Sequence, residues 1–187
     1  MVLKNVIGHF NTVTKHRWEV FKLCLKAGIP IRGILHDLSK YSPVEFFEGV
    51  KYYQGGTETP IAKERELNGY SKAWLHHKGR NKHHHEYWYD YISPDETPLM
   101  PYKYIVEMIC DNLAAGLVYN GKNWTRSSQL EYFNAVEKQL RVNERINKMR
   151  EEVFTEVCEK GIDPVINKRN LKRIYDKYAK EVKEINV

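Results

Sequence analysis

Four residues whose side chains commonly bind metal ions lie in apolar parts of the sequence. They are His16, the adjacent pair His36 and Asp37, and Asp111. Each lies among apolar residues at helical spacing, most clearly Asp111, which falls within the run 108–115. Helix faces of this kind point inward, so the four side chains are predicted to lie inside the protein. Imidazole nitrogens and carboxylate oxygens brought together there would form a metal site.

A divalent cation would compensate the cost of burying these groups. A buried carboxylate is unfavourable unless it is paired or bound to a metal, and no obvious arginine partner exists for Asp37 or Asp111. Mixed nitrogen and oxygen ligands favour Mn, Fe, Co, Ni or Zn over Ca. Taken singly, His16 could be a hydrogen-bonded core residue and Asp111 the partner of a tyrosine hydroxyl. The combination of all four favours a divalent transition-metal ion that binds all of them at once.

The order of these residues resembles a known signature. His16, then His36-Asp37, then Asp111 is similar to the H…HD…D pattern of the HD-domain metal-dependent phosphohydrolases. The segment 35–40 (LHDLSK) is similar to the LHDxxK segment of many members. The resemblance covers about residues 9–120, and within the superfamily it is greatest to a small bacterial and phage group without a characterised activity. It implies a helical bundle whose ligands come from separate helices, and a metal-dependent hydrolase of phosphoric esters.

A second group of histidines lies between the HD pair and Asp111. It comprises His76, His77, His83, His84 and His85. HD enzymes that bind two metals carry extra histidines in this interval, so the resemblance implies a second ion with His77 and His84 as ligands. The neighbouring histidines remain alternatives, and an exposed polar loop is the ordinary interpretation of such a cluster.

Lys40 is expected to act with Asp37 in catalysis. It follows His36 by four residues and Asp37 by three, so on a predicted helix all three share one side. A cation there would stabilise charge on a phosphoryl oxygen in the transition state. Lys40 also matches the lysine that often follows the HD pair. HD nucleotidases that use a single metal often have glutamate at this position, so Lys40 disfavours that subgroup.

Substrate contacts are expected from the loop beside the second histidine group. Arg80, Lys82 and His83 are the candidates for binding a phosphate-bearing substrate, and plain solubility is the alternative for the two cations. Nearby aromatic residues suit stacking against a nucleobase or packing in the core. They are Trp74, Tyr87, Trp88 and Tyr89.

Two further residues precede predicted ligands at helical spacing. His9 lies seven residues before His16, so it could support the site, contact the substrate or serve as a structural histidine. Glu107 lies one turn before Asp111 and could orient a ligand or a water molecule.

These observations predict an enzyme that hydrolyses a phosphomonoester or phosphodiester. Its substrate would be a nucleotide or another small phosphate ester, attacked by water that the metal activates. Two alternatives remain: an HD-type diiron oxygenase with the same ligands, and a module that binds nucleic acid or metal without turnover. The basic segment 167–173 would serve nucleic-acid binding, although acidic residues nearby favour a solvated helix.

The elements that position these residues are all predicted to be helices, because no segment alternates as a strand does. The first helix should end at Gly28, and Ser42-Pro43-Val44-Glu45 predicts a capping box for the third. The first four helices are expected over Leu3–Ala27, Pro30 to about Tyr41, Ser42 to near Gly55, and Pro60–His77. A capping box at Ser93–Glu96 precedes the next helix, whose start Pro98 and Pro101 should delay and which should end near Tyr119. Helices are expected over most of 127–187, with one break at 161–164.

The predicted fold class is therefore all-α. An HD-domain-like, metal-binding helical domain is expected over residues 1–120, with a C-terminal helical extension packed on it over 121–187. At 187 residues and 42% hydrophobic content the chain can bury a substantial core.

Composition also bears on location and partners. The three cysteines are scattered, which favours a reducing compartment, and no signal peptide or membrane-spanning run is visible. We therefore expect a cytoplasmic protein that does not bind a membrane. The formal charge of +6 is compatible with phosphate-bearing ligands and with simple solubility.

Overall fold

A computed structural model describes residues 2–90, 97–138 and 140–180 of the chain. Helices and the turns between them account for the described residues, and no β-strand occurs among them, so the predicted all-α class is confirmed. The α-helices are α1 (Leu3–Lys26), α2 (Pro30–Leu35), α3 (Pro43–Lys51), α4 (Pro60–Asn68), α5 (Lys72–Lys78), α6 (Tyr102–Asn120), α7 (Ser128–Tyr132), α8 (Glu144–Lys160), α9 (Ile162–Val165) and α10 (Lys168–Ala179).

Helices α1 and α6 pack against each other and form the centre of the bundle. The inward face of α1 buries His16 between Val13 and Val20, as the spacing predicted. The helix ends before Gly28, whose φ of +79° is the left-handed conformation that glycine adopts easily. This pairing brings His16 towards Asp111 on α6.

The second helix is shorter than predicted. We expected it to reach Tyr41, but α2 ends at Leu35 and a 3-10 turn occupies Leu38–Tyr41. Asp37 lies between them with φ of 51°, a left-handed conformation that aspartate tolerates better than most residues. His36 and Asp37 therefore do not project from a continuous helix.

Local capping signals explain the next three helices. Ser42 caps α3 by accepting a hydrogen bond from the Glu45 backbone at 3.5 Å, as predicted, although α3 ends at Lys51 rather than near Gly55. The single helix predicted over Pro60–His77 is wrong. Gly69, with φ of +79°, ends α4, and Ser71 caps a separate α5.

The C-terminal helices share one core with the N-terminal ones. Helix α6 begins after Pro101, as the prolines predicted, whereas the expected capping box at Ser93–Glu96 lies outside the described residues. Val20 of α1, Ile109 of α6, Phe154 of α8 and Ile174 of α10 belong to one buried cluster. The division at residue 120 stays a prediction.

A search of the described helices found none with the length and apolar character needed to cross a membrane.

Candidate metal centre

The four residues first singled out in the sequence meet in the interior of the bundle. His16 Nε2 lies 2.9 Å from Asp111 Oδ1, and His36 Nε2 lies 3.5 Å from the same oxygen. The two Nε2 atoms are 3.4 Å apart. Together with Asp37 these residues form a group whose ligand atoms all lie within 4.8 Å of one another. Such a group could hold a metal ion.

A second group adjoins the first. His77 Nε2 lies 2.9 Å from His84 Nε2 and 3.2 Å from Asp37 Oδ1. His83 Nε2 lies 3.5 Å from the same aspartate oxygen. These three histidines and Asp37 also lie within 4.8 Å of one another by one ligand atom each. The second group therefore contains His83 as well as the predicted His77 and His84.

Asp37 belongs to both groups. Its Oδ1 faces His77 and His83, and its Oδ2 lies 3.4 Å from His36 Nε2. Lys40 Nζ lies 2.7 Å from the same Oδ2. The left-handed backbone at Asp37 turns the chain out of α2 at this point, so the carboxylate lies between the two sets of imidazoles. The Asp37 carboxylate could therefore serve as a ligand in either group.

The buried carboxylate of Glu107 contacts the Nδ1 side of His36 in the first group. Glu107 Oε1 accepts from His36 Nδ1 at 3.1 Å and lies 3.4 Å from His83 Nδ1. Arg32 Nε donates to Glu107 Oε2 at 2.7 Å. A hydrogen bond from Nδ1 to a carboxylate fixes the ring and directs Nε2 to the opposite side, as is usual for histidines that bind metals. The suggestion that Glu107 orients a ligand agrees with this geometry.

Glu45 supports the second group in the same way. Its two carboxylate oxygens accept from His76 Nδ1 at 2.6 Å and from His77 Nδ1 at 2.7 Å. Sequence reasoning assigned Glu45 only to the capping box of α3 and missed this role. No signal in the local sequence indicated it, because the contact depends on the packing of α3 against α5, which carries both histidines.

The carboxylates around the imidazoles favour positive charge at this centre. Burial lowers the pKa of His36, but the neighbouring carboxylates, Asp37 first, outweigh burial and raise that pKa to about 10. Burial raises the pKa of Asp37, yet His36 and His77 hold it well below its usual value. Among the four carboxylates of the cluster, Asp37 pairs with Lys40 and Glu107 with Arg32, whereas the ion-pair partners of Asp111 and Glu45 are histidines.

The donor set could hold a metal ion. The carboxylates exceed the fixed cations, so protons on the histidines or divalent metal ions must supply the remaining positive charge. His83 is fully buried, and its Nε2 makes no hydrogen bond within the part of the chain that the structure describes. A buried nitrogen of this kind is unfavourable unless a ligand engages it.

Two of the residues predicted to contact the substrate, Arg80 and Lys82, lie outside the two metal-binding groups. Arg80 is exposed and donates to the His76 backbone carbonyl at 3.2 Å, and Lys82 lies 5.7 Å from the centroid of the Tyr87 ring. Neither residue lines the cavity that adjoins the two groups, and the buried His83 lies among the residues of the second group, so a role of the three in substrate binding stays a prediction. Arg80 is exposed and Lys82 is half-buried near the Tyr104 ring, whereas His83 is fully buried.

A cavity of about 240 Å³ opens from the centre. One end is formed by residues of the two groups and by Lys40, which is 27% exposed at its side chain. The group residues on this wall are His16, His77, His84 and Asp111. A small molecule in the cavity would therefore contact the centre directly.

In its described residues the protein is all-helical, and it contains buried histidine and carboxylate groups that could hold metal ions. The chain belongs to DUF5662, a family of unknown function whose model matches residues 5–160. The match spans both groups and the helices that carry them. No curated protein and no solved structure matches the chain.

Proposed function

We propose that this protein is a metal-dependent phosphohydrolase that acts on a nucleotide or another small phosphate ester. The observation that carries the proposal is the convergence of five imidazole Nε2 atoms on Asp37 and Asp111. Two of these histidines, His36 and His77, donate from Nδ1 to the buried carboxylates of Glu107 and Glu45, respectively. A hydrogen bond from Nδ1 to a carboxylate is usual for histidines that bind a metal through Nε2.

Two ions would be held by ligands from both groups. His16, His36 and Asp111 would hold one ion, and His77, His83 and His84 the other, with Asp37 shared between them. Nitrogen and oxygen ligands favour Mn, Fe, Co, Ni or Zn. When bound, such ions supply Lewis acidity, which activates water and offsets the charge of a phosphoryl group.

The chain's own groups complete the site. Lys40 keeps its proton, because burial lowers its pKa but the carboxylates of Asp37 and Asp111 raise it further. Its ammonium group lines the cavity next to the centre, where it would stabilise negative charge on a phosphoryl oxygen. Glu107 and Glu45 keep the Nδ1 protons of their histidines in place, so the rings stay oriented during turnover.

The similarity to the HD-domain phosphohydrolases supports the reaction class. The order His16, His36-Asp37, Asp111 matches the family's signature, and Lys40 matches its lysine. The donor set alone would also serve a diiron oxygenase. Lys40 favours the hydrolase, because a fixed cation beside the centre suits an anionic substrate better than a neutral one.

The test combines metal analysis with activity. The full chain is purified, its metal content is measured, and hydrolysis of phosphomonoesters, cyclic nucleotides and dinucleotides is assayed with added Mn²⁺, Co²⁺ or Ni²⁺. Asp37→Asn should lose bound metal and reduce turnover at least about 100-fold, since one ligand serves both ions. Asp163→Asn is the matched control, because the Asp163 carboxylate is 82% exposed at the surface.

Three results would contradict the proposal. They are a wild-type protein that binds no metal, an Asp37→Asn variant with full metal content, and iron-dependent consumption of dioxygen without phosphate release. The last result would assign the centre to the oxygenase class.

A further inference from the structure

Helix α2 turns its apolar side chains away from the rest of the chain. It has six residues, and Gly33 is the only one of them that is buried. Ile31, Ile34 and Leu35 are between 48% and 69% exposed. These three positions share one side of the helix, and Gly33 lies on the opposite side, where it contacts α1. This exposure is unusual, because burial of an apolar face is what normally holds a helix to a soluble protein.

The neighbouring part of α1 continues this surface. Trp18 and Leu25 are both more than half exposed, and together with Phe21 they lie along one side of α1 at spacings of three and four residues. The Trp18 and Phe21 rings stack with their centroids 5.4 Å apart, and the Phe21 ring lies beside Gly33 of α2. Phe21 therefore joins the exposed residues of the two helices into one surface. We call it the α1–α2 face; its exposed members are Trp18, Leu25, Ile31, Ile34 and Leu35.

The charged residues between positions 17 and 35 already have partners within the chain. Arg17 donates to the backbone carbonyls of His36 and Ile34 at 2.7 and 2.9 Å. The other four belong to ion pairs, which are Lys22–Glu19, Lys26–Asp163 and Arg32–Glu107. A partner that binds through charge, such as a nucleic acid or an anionic membrane surface, would therefore find no unengaged cation in this stretch.

The size of the α1–α2 face suits a protein partner. Its five exposed members present on the order of 500 Å² of surface, near the upper end of the roughly 300–600 Å² found for the largest apolar patch on a typical monomer. A stable interface buries about 800 Å² on each partner, and it consists of an apolar centre and a polar rim. The α1–α2 face is large enough to form such a centre.

We propose that the α1–α2 face binds the same face of a second copy of this chain and forms a twofold symmetric dimer. Two identical apolar surfaces complement each other without any need for opposite charges. The formal charge of +6 on each copy opposes association only weakly, since salt screens exposed charges beyond about 8 Å at physiological ionic strength. Ile34 and Leu35 directly precede His36-Asp37, so the interface would also cover the segment that leads into the metal centre. The dimer does not rest on the proposed function.

Sedimentation velocity of the full-length protein over a range of micromolar concentrations tests the dimer. Wild type should have twice the chain mass of 22.2 kDa. Ile34→Glu should be a monomer, because the twofold axis brings two like charges into the apolar centre, and we expect its dissociation constant to rise at least about 100-fold. Leu67→Glu is the matched control and should stay dimeric. Leu67 is also more than half exposed, but it lies on α4, which packs against α3 and α5.

Cross-linking keeps the test valid if Ile34→Glu does not fold. Ile34→Cys adds no charge, and a bismaleimide whose spacer spans the face should join two of these chains covalently. Wild type, treated in the same way, controls for the native thiols, of which Cys24 and Cys110 are buried and Cys158 is partly buried. Leu67→Cys is the control for position and should give no covalent dimer. Circular dichroism and thermal unfolding of each variant verify that it is folded.

The dimer is excluded if wild type sediments as a monomer at every concentration. A dimer that persists in Ile34→Glu, and that does not cross-link through residue 34, would show that another face forms the interface and would overturn the proposal. A monomer that binds vesicles of phosphatidylcholine and phosphatidylglycerol, and loses this binding in Ile34→Glu, would assign the face to a membrane instead. None of these measurements depends on turnover, so the proposed hydrolase is tested separately.

Discussion

At the scale of single residues, Asp37 combines an unusual backbone conformation with a carboxylate shared by the two groups. Its left-handed φ of 51° is unfavourable for a residue with a side chain, and such conformations persist where the surroundings compensate them. Here His77 approaches one carboxylate oxygen, and Lys40 and His36 the other. A helical conformation at Asp37 would direct the carboxylate away from one of the two groups. The strain is therefore part of how the site is built.

Glu107 and Glu45, which accept hydrogen bonds from the Nδ1 atoms of His36 and His77, should control metal affinity without contacting the metal. Glu107→Gln removes the charge that accepts from His36 Nδ1, so we expect the affinity for Mn²⁺ or Zn²⁺ to fall about 10–100-fold. Titration calorimetry measures this change. Glu131→Gln, on the exposed face of α7, is the matched control and should bind metal as wild type does. Unchanged affinity in Glu107→Gln would show that the hydrogen bond does not orient the ring.

The depressed pKa of His9 predicts a pH-dependent contribution to stability. Its pKa falls from 6.5 to about 4 on folding, so between these values the unfolded state binds a proton that the folded state does not. The free energy of unfolding should therefore decrease as pH falls from 6.5 towards 4, by up to about 3 kcal/mol from this group. His9→Phe should lack this contribution. Urea denaturation at pH 7, 5.5 and 4.5, with chelator present, compares the two proteins, and parallel profiles would contradict the assignment.

At the scale of elements, the site depends on helices that approach one another closely. Gly49 of α3 faces His9 of α1, and Gly33 of α2 faces Cys24 of α1. In both places a Cβ atom would come closer than 3.0 Å to the facing side chain. Small residues thus set the spacing that brings the ends of α2 and α3 to the centre.

Gly49→Ala tests this spacing. The new methyl group meets the buried His9 ring, so we expect a loss of about 1–3 kcal/mol in the free energy of unfolding. His9→Ala should reduce the loss in the double variant, because the ring is the obstacle. Gly79→Ala is the control, since its Cβ would have only ordinary contacts, the nearest at 3.5 Å, and its φ of −76° suits alanine. Equal losses at both glycines in urea denaturation would contradict the argument.

At the scale of the whole molecule, the C-terminal region is connected to the helix that carries Asp111. Arg150 of α8 is buried and donates to Glu137, in the π-helical turn that follows α7, and to Asn112 Oδ1 at 3.1 Å. Asn112 is the neighbour of Asp111 on α6. The C-terminal helices thus contact α6 next to Asp111, so the position of the metal centre depends on both halves of the chain.

Arg150→Met should destabilise the whole protein. It leaves the Glu137 carboxylate, which is 13% exposed, without its cation, at a cost of about 3–5 kcal/mol. Arg173→Met, which removes surface ion pairs with Glu152 and Glu156, should cost less than about 1 kcal/mol. Chemical denaturation measures both. If Glu137→Gln added to Arg150→Met recovered no stability, the unpaired carboxylate would not be the cause.

Sequence signals between residues close in the chain were sufficient to predict helix faces and several helix ends. The apolar spacing around His16 predicted the inward face of α1, and Gly28, Ser42 and Pro101 marked helix ends, because capping depends on residues only a few positions apart. The order of His16, His36-Asp37 and Asp111 also identified which side chains the fold would bring together.

The tertiary structure alone decided the rest. The left-handed turn at Asp37, the support from Glu45 and the inward position of His83 depend on contacts between residues more than thirty positions apart in the chain. Nothing in the local sequence distinguishes the buried His83 from its neighbours or places Arg80 and Lys82 outside the lining of the cavity. Local preferences determine which residues form helices, but only the packing of α1, α3, α5 and α6 determines which side chains share one small buried volume.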